Sequence, residues 1–461
     1  MTDGRVAVVW FRRDLRLADN PALAAACDRA DRVVALYVHA PVEEGDWRPG
    51  AASRWWLHHS LERLAEELRA RGAELHLRRG PTLQTLIEVA RETGAGQIFW
   101  NRLYEPAIAA RDARVAAGLD EAGLLSESFN AALLVEPWEV RTAQGDPYRV
   151  FTPFWRSCST HVASQPRPHA APARIAGASA PAHGLALGEL ELLPRVRWDT
   201  GLAAAWKPGE QGALDRLEAF CEQALPGYND GRNRPDLPDT SRISPHLHFG
   251  EVGPRQCLAA VRNAVADRPG AGAGAETFLR EIGWREFAHH LLHHFPRTAT
   301  EPLDEKFARY PWTSNPAWLE AWQQGRTGFP IVDAGMRELW TTGWMHNRVR
   351  MIVASLLTKN LRQHWLDGAR WFWDTLVDAD LASNTLGWQW TAGCGADAAP
   401  YFRVFNPVLQ AARHDPDGRY VRRWLPDAMR DYPPPIVDLQ QSRAAALAGY
   451  AQIRAGAAHP G

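Results

Sequence analysis

The stretch VAVVWFRRDLRLADN (Val6–Asn20) opens the chain's architecture. Its first six residues are uniformly apolar and rich in β-branched Val, which reads as a short strand. Four similar runs follow, RVVALYVH (32–39), ELHLRR (74–79), QIFWN (97–101) and LLSESF (124–129). Helical patterns lie between them, such as SRWWLHHSLERLAEELRARG (53–72), which closes on a candidate C-cap at Gly72. Strand–helix alternation predicts a parallel sheet with helices on both faces and any ligand beyond the strands' carboxyl ends. No G-x-G-x-x-G follows the first strand, so a dinucleotide fingerprint and a P-loop are both absent. The arginines after Phe11 read as a solvated or ion-paired turn.

The 461 residues suffice for two or three domains. With 46% hydrophobic and 23% charged residues and a net charge of −1, the composition is that of a globular protein without a global basic field. Five scattered cysteines (Cys27, Cys158, Cys221, Cys257, Cys394) form no C-x-x-C pair, which argues against a disulfide scaffold and a cysteine zinc site. No signal peptide or membrane span is expected, and the reading is a reduced, cytoplasmic protein. The 21 tryptophans leave large aromatic cores and aromatic ligand sites both open.

From Ala163 the run ASQPRPHAAPARIAGASAPAHG lacks periodicity and reads as an interdomain connector. Beyond Trp206 the chain is helical, with long amphipathic patterns such as ETFLREIGWREFAHHLLHHF (276–295) and WMHNRVRMIVASLLTKNLRQHWL (344–366). The expected division is an α/β domain over 1–130, a connector over 131–205 and an all-helical domain over 206–461.

Several constellations could carry chemistry. Helical spacing predicts Trp344, Asn347, Arg348 and Met351 on one face, and Glu281, Trp284 and Arg285 on another. Either set suits a polar-aromatic ligand or an interhelix salt bridge with packed rings. His289, His290, His293 and His294 have the i,i+4 spacing of metal ligands, but no H-E-x-x-H or third ligand accompanies them, and no metal is expected. DTSRISPH (239–246) offers hydroxyls and an arginine to a phosphate, or simply an N-cap. DADLASNTLGWQW (378–390) sets two acids and an amide beside two tryptophans, as a planar aromatic cofactor with a polar edge would need.

Together with WFRRDLRLADNPAL, YRVFTPFWR, TSRISPHLHFGE, GWREFAHHLL and TGFPIVDAGMRELWTTGWMHNRVRM, this last stretch resembles the photolyase/cryptochrome family over nearly the whole chain. The resemblance implies an N-terminal doubly wound parallel sheet, a C-terminal all-helical domain holding FAD, active as FADH⁻, and a UV-damaged DNA partner. Tyr228, Thr240, Ser241, Arg242, Ile243 and Ser244 would hold the FAD phosphates. Asp378 and Asp380 would lie along the pyrimidine edge, with Arg350 paired to Asp378, and Asn384 would face N5. Trp388, Trp365 and Trp312 would carry electrons from the surface. Glu281, Trp284, Asn347, Met351 and Trp390 would line the substrate pocket, and Arg232, Arg348 and Arg403 would contact DNA phosphates.

Within the family, Asn347 and Met351 stand where enzymes for (6-4) photoproducts carry histidines. Asn384 and Trp390 are likewise present, where plant and insect cryptochromes and the DASH cryptochromes, respectively, tend to differ. The implied activity is light-driven repair of cyclobutane pyrimidine dimers by a monomer; the alternative is a blue-light photoreceptor without repair activity. Three departures stand out. AARHD (411–415) follows FNPVLQ where relatives usually have Gly-Glu-Lys-Phe-Asp, Phe278 replaces the Trp of some relatives, and AIAARD follows WNRLYEP where folate-binding relatives often carry Asn-Glu. A second, antenna chromophore (5,10-methenyltetrahydrofolate or a deazaflavin) is therefore left open.

Overall fold

The computed structural model describes residues 4–398, 402–426 and 432–455. Strands β1 (Val6–Phe11), β2 (Arg32–His39), β3 (Leu75–Arg79), β4 (Ala95–Asn101) and β5 (Leu125–Phe129) match the five expected runs to within two residues. They form one sheet in the order β3-β2-β1-β4-β5, with every neighbouring pair parallel. The uniformly apolar sequence of β1 has a plain cause. Ala7, Val9 and Phe11 pack with Trp55, Trp56 and Leu61, while Val6, Val8 and Trp10 pack on the other face with Leu86, Val89 and Val115. A strand covered on both faces has no polar side to alternate with. Helices α1 (Pro21–Arg29), α2 (Ala51–Ala70), α3 (Thr82–Thr93) and α4 (Pro106–Glu121) supply the cover.

The arginine-rich turn after β1 is ion-paired rather than solvated. Arg12 meets Asp112 at 2.6 Å and Arg13 meets Glu105 at 2.6 Å. Arg16, 1% exposed, donates to the carbonyls of Ala18, Asp19, Ala131 and Gly250. The turn also docks onto the helical part of the chain. The Glu210 carboxylate accepts from the Leu17 and Ala18 amides at 2.7 and 3.0 Å. Gly250 (φ +65°) approaches so closely that a Cβ there would stand 2.2 Å from the Arg13 carbonyl oxygen.

The connector is more ordered than its composition suggests. It contains helix α5 (Phe151–Ala163). Further on, Ile175 donates to Arg71, Val33 to Ala176 and Leu185 to Leu77, so the Pro- and Ala-rich run is laid along β2 and β3 by main-chain hydrogen bonds. The helical part has α6 (Gly272–His294), α7 (Pro330–Thr342), α8 (Asn347–Ser355), α9 (Trp365–Thr375), α10 (Leu381–Ala392) and α11 (Pro407–His414) among its helices. Helix α10 packs against α6, α8 and α9.

Two of the histidines on α6, His290 and His294, hold the connector. The two ring nitrogens of His290 bridge the Pro137 carbonyl and the Tyr148 amide at 3.0 Å each, and His294 also reaches Pro137, at 3.1 Å. They pin the connector to α6. Among the described residues no group of three or more His, Cys, Asp or Glu could hold a metal ion.

Candidate active site

Helix α10 is set by both of its ends. Asp380 is the N-cap and accepts from the Ser383 amide at 2.7 Å, and Gly393 closes the helix in a left-handed conformation at φ +86°. Burial alone would raise the Asp380 carboxyl. His289 and His248, 3.5 and 3.8 Å away, instead hold it well below the usual carboxylate range. Neighbouring Asp378 takes two contacts from Arg350, at 2.8 and 3.1 Å, and a 2.6 Å hydrogen bond from the Ser244 hydroxyl. The expected Arg350–Asp378 pair is therefore present, and it reaches the DTSRISPH segment through Ser244.

One turn into α10, the Asn384 side-chain N–H donates to the Ala369 carbonyl at 3.0 Å. That bond commits the amide nitrogen and leaves Oδ1 free as an acceptor. Gly387, one turn further, has open space where a Cβ would be. Trp388 is buried and lies on Gly368 of α9, edge-on to Phe372 with ring centroids 5.0 Å apart. Trp365 is one turn before Gly368 on α9. It stacks with His364 (5.9 Å), whose ring meets the half-buried Trp312 (5.1 Å). Trp388 and Trp365 are both buried on or against α9, and Trp312 is half-buried beyond His364.

Arg242 adopts φ +49°, unusual for a non-glycine residue. Its guanidinium is held between Trp206 and Trp344, 4.8 and 4.6 Å from their ring centroids, and its buried Nε has no hydrogen-bond partner in the protein. Ser241 accepts from the Ile243 amide at 3.4 Å, Thr240 borders the same turn, and Tyr228 is buried against Phe220 and Phe278. The helical face expected to include Trp344 needs correcting. Helix α8 starts at Asn347, where the His346 ring caps it by accepting from the Arg348 amide at 3.1 Å. Trp344 precedes the helix and serves as one jaw of the Arg242 clamp.

The second half of the site is apolar with a charged rim. Trp284 stacks on Phe151 of α5 at 3.7 Å and 8°, so one indole face is covered and the side chain stays half-buried. Glu281, one turn earlier on α6, is paired with Arg232 at 2.8 Å. Arg348 donates twice to Asn233 (2.8 and 2.6 Å) and approaches the Met351 sulfur at 3.5 Å. Asn347 is exposed at the start of α8, and exposed Arg403 lies 5.8 Å from the Trp390 ring centroid. Arg232 was expected at phosphates; here it engages the pocket carboxylate. The departure at 411–415 also has a structural use. His414 bonds the Asn233 carbonyl at 2.9 Å, and Asp415 accepts from the Tyr420 and Val421 amides at 3.0 Å each.

Sequence reasoning missed Phe151, Trp206 and the jaw role of Trp344, because nothing local marks a ring whose partner lies far along the chain. It also missed a cavity of about 220 Å³ beyond the carboxyl ends of β1 and β4, lined by Arg13, Glu44, Trp47, Glu105, Trp373 and Leu381 among others. The switch-point rule pointed there, but the interdomain partner residues were not foreseeable.

Comparison with known proteins fits this geometry. Residues 7–173 match the family model described as DNA photolyase, and 278–430 match the FAD binding domain of DNA photolyase. A deoxyribodipyrimidine photo-lyase of Agrobacterium fabrum is 42% identical over 97% of this chain and 98% of its own. The chain belongs to the photolyase/cryptochrome family. Within that family, cryptochrome-1 of Arabidopsis thaliana is 41% identical over 93% of this chain and 63% of its own length. The crystal structure of a bacterial class III photolyase from Agrobacterium tumefaciens superposes with a TM-score of 0.93 at 41% identity, covering 98% of each chain. The family's N-terminal α/β domain and C-terminal helical FAD domain are both present here, and FAD is the cofactor that the matched domain binds.

Proposed function

We propose that this photolyase-family protein repairs cyclobutane pyrimidine dimers in duplex DNA under blue light. The observation that carries the reading is a charged and aromatic grouping: the Glu281 carboxyl is paired with Arg232, with Arg348 nearby and half-buried Trp284 one turn away, while Arg403 lies beside the Trp390 ring. Such arginines suit phosphates, and such rings suit an intrastrand pyrimidine dimer of low polarity drawn out of the duplex. Asn347 and Met351 supply no imidazole acid, which favours cyclobutane dimers over (6-4) photoproducts.

The residues fit FAD. Bound in its reduced form, FAD supplies the photoexcited electron that splits the dimer. The protein's part is to hold and to insulate. Arg242, Ser241, Thr240, Ile243, Ser244 and Tyr228 would hold the phosphate side. Asp378, fixed by Arg350, and Asp380, fixed by the two histidines, present acceptors to the N–H-bearing edge. Asn384 offers Oδ1 to N5–H without adding charge. Glu281 is offered as the partner of a thymine carbonyl; burial, opposed by Arg232, shifts its carboxyl upward. Trp388, Trp365 and Trp312 form the route by which an external reductant restores the reduced cofactor.

The cavity beside β1 and β4 suits an antenna chromophore. Trp47 and Trp373 meet edge to face at 5.3 Å, and Glu44 and Glu105 can accept from the amino-pyrimidinone edge of a folate, an edge a deazaflavin lacks. A near-ultraviolet absorption band in the purified protein that is lost in Trp47→Ala, with flavin retained, would identify this site.

Among the described residues no helix is long and apolar enough to cross a membrane; a cytoplasmic monomer is proposed. The decisive assay is loss of cyclobutane dimers from UV-treated duplex DNA, illuminated and dark, with reduced protein. Retained dimers with normal flavin photochemistry would instead favour a photoreceptor, the reading to which the similarity with cryptochrome-1 points.

A further inference from the structure

The carboxylate assigned to the dimer is already occupied. Glu281 Oε1 sits 2.8 Å from an Arg232 terminal nitrogen, with side-chain exposures of 29% and 18%. The Arg232 guanidinium lies 5.7 Å from the Tyr228 ring centroid. Arg348 and Arg280 also face Glu281, and Tyr228 feels its charge. The rim arginines differ in how they are committed. Arg348 is tied to the neutral Asn233 amide by two hydrogen bonds, and Arg403 is exposed against Trp390. Arg232 instead spends its charge on the group that must meet the substrate.

Two demands then conflict. A Glu281 engaged by a guanidinium has less capacity to bond a thymine carbonyl, and an entering dimer must displace the arginine. A DNA phosphate beside the flipped dimer is an anion of matching geometry for a planar guanidinium. We infer that Arg232 is a positioning residue that exchanges Glu281 for a DNA phosphate as the dimer enters. The exchange rests on the dimer-repair reading. On release, Glu281 loses the nearest charge that stabilises its ionised form. It takes a proton from solvent and presents an O–H to the substrate carbonyl. Arg348 and Arg280 remain nearby and oppose that step.

The test uses reduced holoprotein and two probes, a cyclobutane dimer within a duplex and a thymine-base dimer that carries no phosphate. Arg232→Gln should weaken duplex binding and reduce its log–log salt slope by about one. The same variant should tighten binding of the phosphate-free dimer about fivefold, because an ion pair worth on the order of 1 kcal/mol no longer has to be broken. Glu281→Gln should tighten binding of undamaged duplex by a similar factor, because Arg232 is then free for phosphate. Arg232→Lys keeps the charge and should keep the duplex salt slope. If Arg232→Gln weakens both probes, or leaves the phosphate-free dimer unchanged, the exchange is wrong. An unchanged affinity of Glu281→Gln for undamaged duplex is equally damaging. Wild-type protein that repairs no duplex dimer defeats the underlying reading instead, so the two failures are distinguishable.

Discussion

Trp388 rests directly on Gly368. A Cβ added to that glycine would stand 2.1 Å from the indole Cη2. The ring is buried and hemmed by Phe372 and Trp322, so it cannot step aside without moving other aromatics. Gly368→Ala should therefore displace Trp388 from α9. Overpacking of this kind costs about 1–3 kcal/mol, read as a lower melting temperature. It should also slow photoreduction of oxidised flavin while leaving the dimer pocket's affinity unchanged. A variant that photoreduces at the wild-type rate would show that the Trp388–Gly368 contact does not set the path.

Trp388 and Trp390 are two residues apart but face different surroundings. Trp388 packs against α9, while Trp390 is half-buried beside Arg403. Phe keeps an aromatic ring but is much harder to oxidise. Trp388→Phe should keep FAD and repair dimers once chemically reduced, yet lose most light-driven reduction. Trp390→Phe should photoreduce normally and bind dimers about 1 kcal/mol more weakly through lost stacking area. Flavin absorbance under blue light with an external reductant, paired with dark dimer binding, separates them. If the losses are exchanged between the variants, the two roles have been swapped.

The sheet was legible because strands covered on both faces leave unbroken apolar runs, as β1 and β2 do. Helix α10 went unread in the sequence, although Asp380 and Gly393 at its flanks are a preferred cap and a preferred terminator. The family-like motifs then supplied the pairing of Arg350 with Asp378, which spacing alone does not reveal. The clamp on Arg242 stayed hidden because its jaws, Trp206 and Trp344, stand 138 positions apart by their numbering. Phe151 behind Trp284 was hidden for the same reason. The docking of the connector was hidden for another, because its hydrogen bonds are made by the backbone at Ile175 and Leu185 and leave no trace in side-chain pattern.

Asn384 tests how much the neutral amide matters. Its N–H to Ala369 needs a donor, and a carboxylate at that place would face a carbonyl oxygen at about the same 3.0 Å separation. Asn384→Asp should therefore keep flavin at acidic pH, where the carboxyl is protonated and can donate. At pH 8 a carboxylate would put a negative charge beside the reduced anionic flavin, and reoxidation in air should accelerate several-fold. Stopped illumination followed by the return of oxidised-flavin absorbance measures this. A reoxidation rate that does not depend on pH would contradict the assignment of Asn384 to N5.

His346 links the site to stability at low pH. Burial, with Arg348 and Arg350 adding to it, pushes its imidazole down to about 3. The neutral ring caps α8 by accepting from the Arg348 amide, a role that protonation of the accepting nitrogen would end. In the unfolded chain the same group titrates near 6.5. Below that value the unfolded state binds a proton that the folded state refuses, so stability present above pH 6.5 is lost as pH falls toward 3. Each pH unit in that window costs about 1.4 kcal/mol for one such group. Asn can cap the helix but does not titrate. His346→Asn should therefore flatten the dependence of unfolding free energy on pH by close to one proton between pH 6 and pH 4, even if its stability at pH 7.5 is lower. Urea midpoints and slopes at pH 7.5, 6.0, 5.0 and 4.0 give the comparison. Parallel curves for the variant and the wild type would mean that His346 takes up its proton as readily in the folded protein as in the unfolded chain, and its cap on α8 would have to be reassigned.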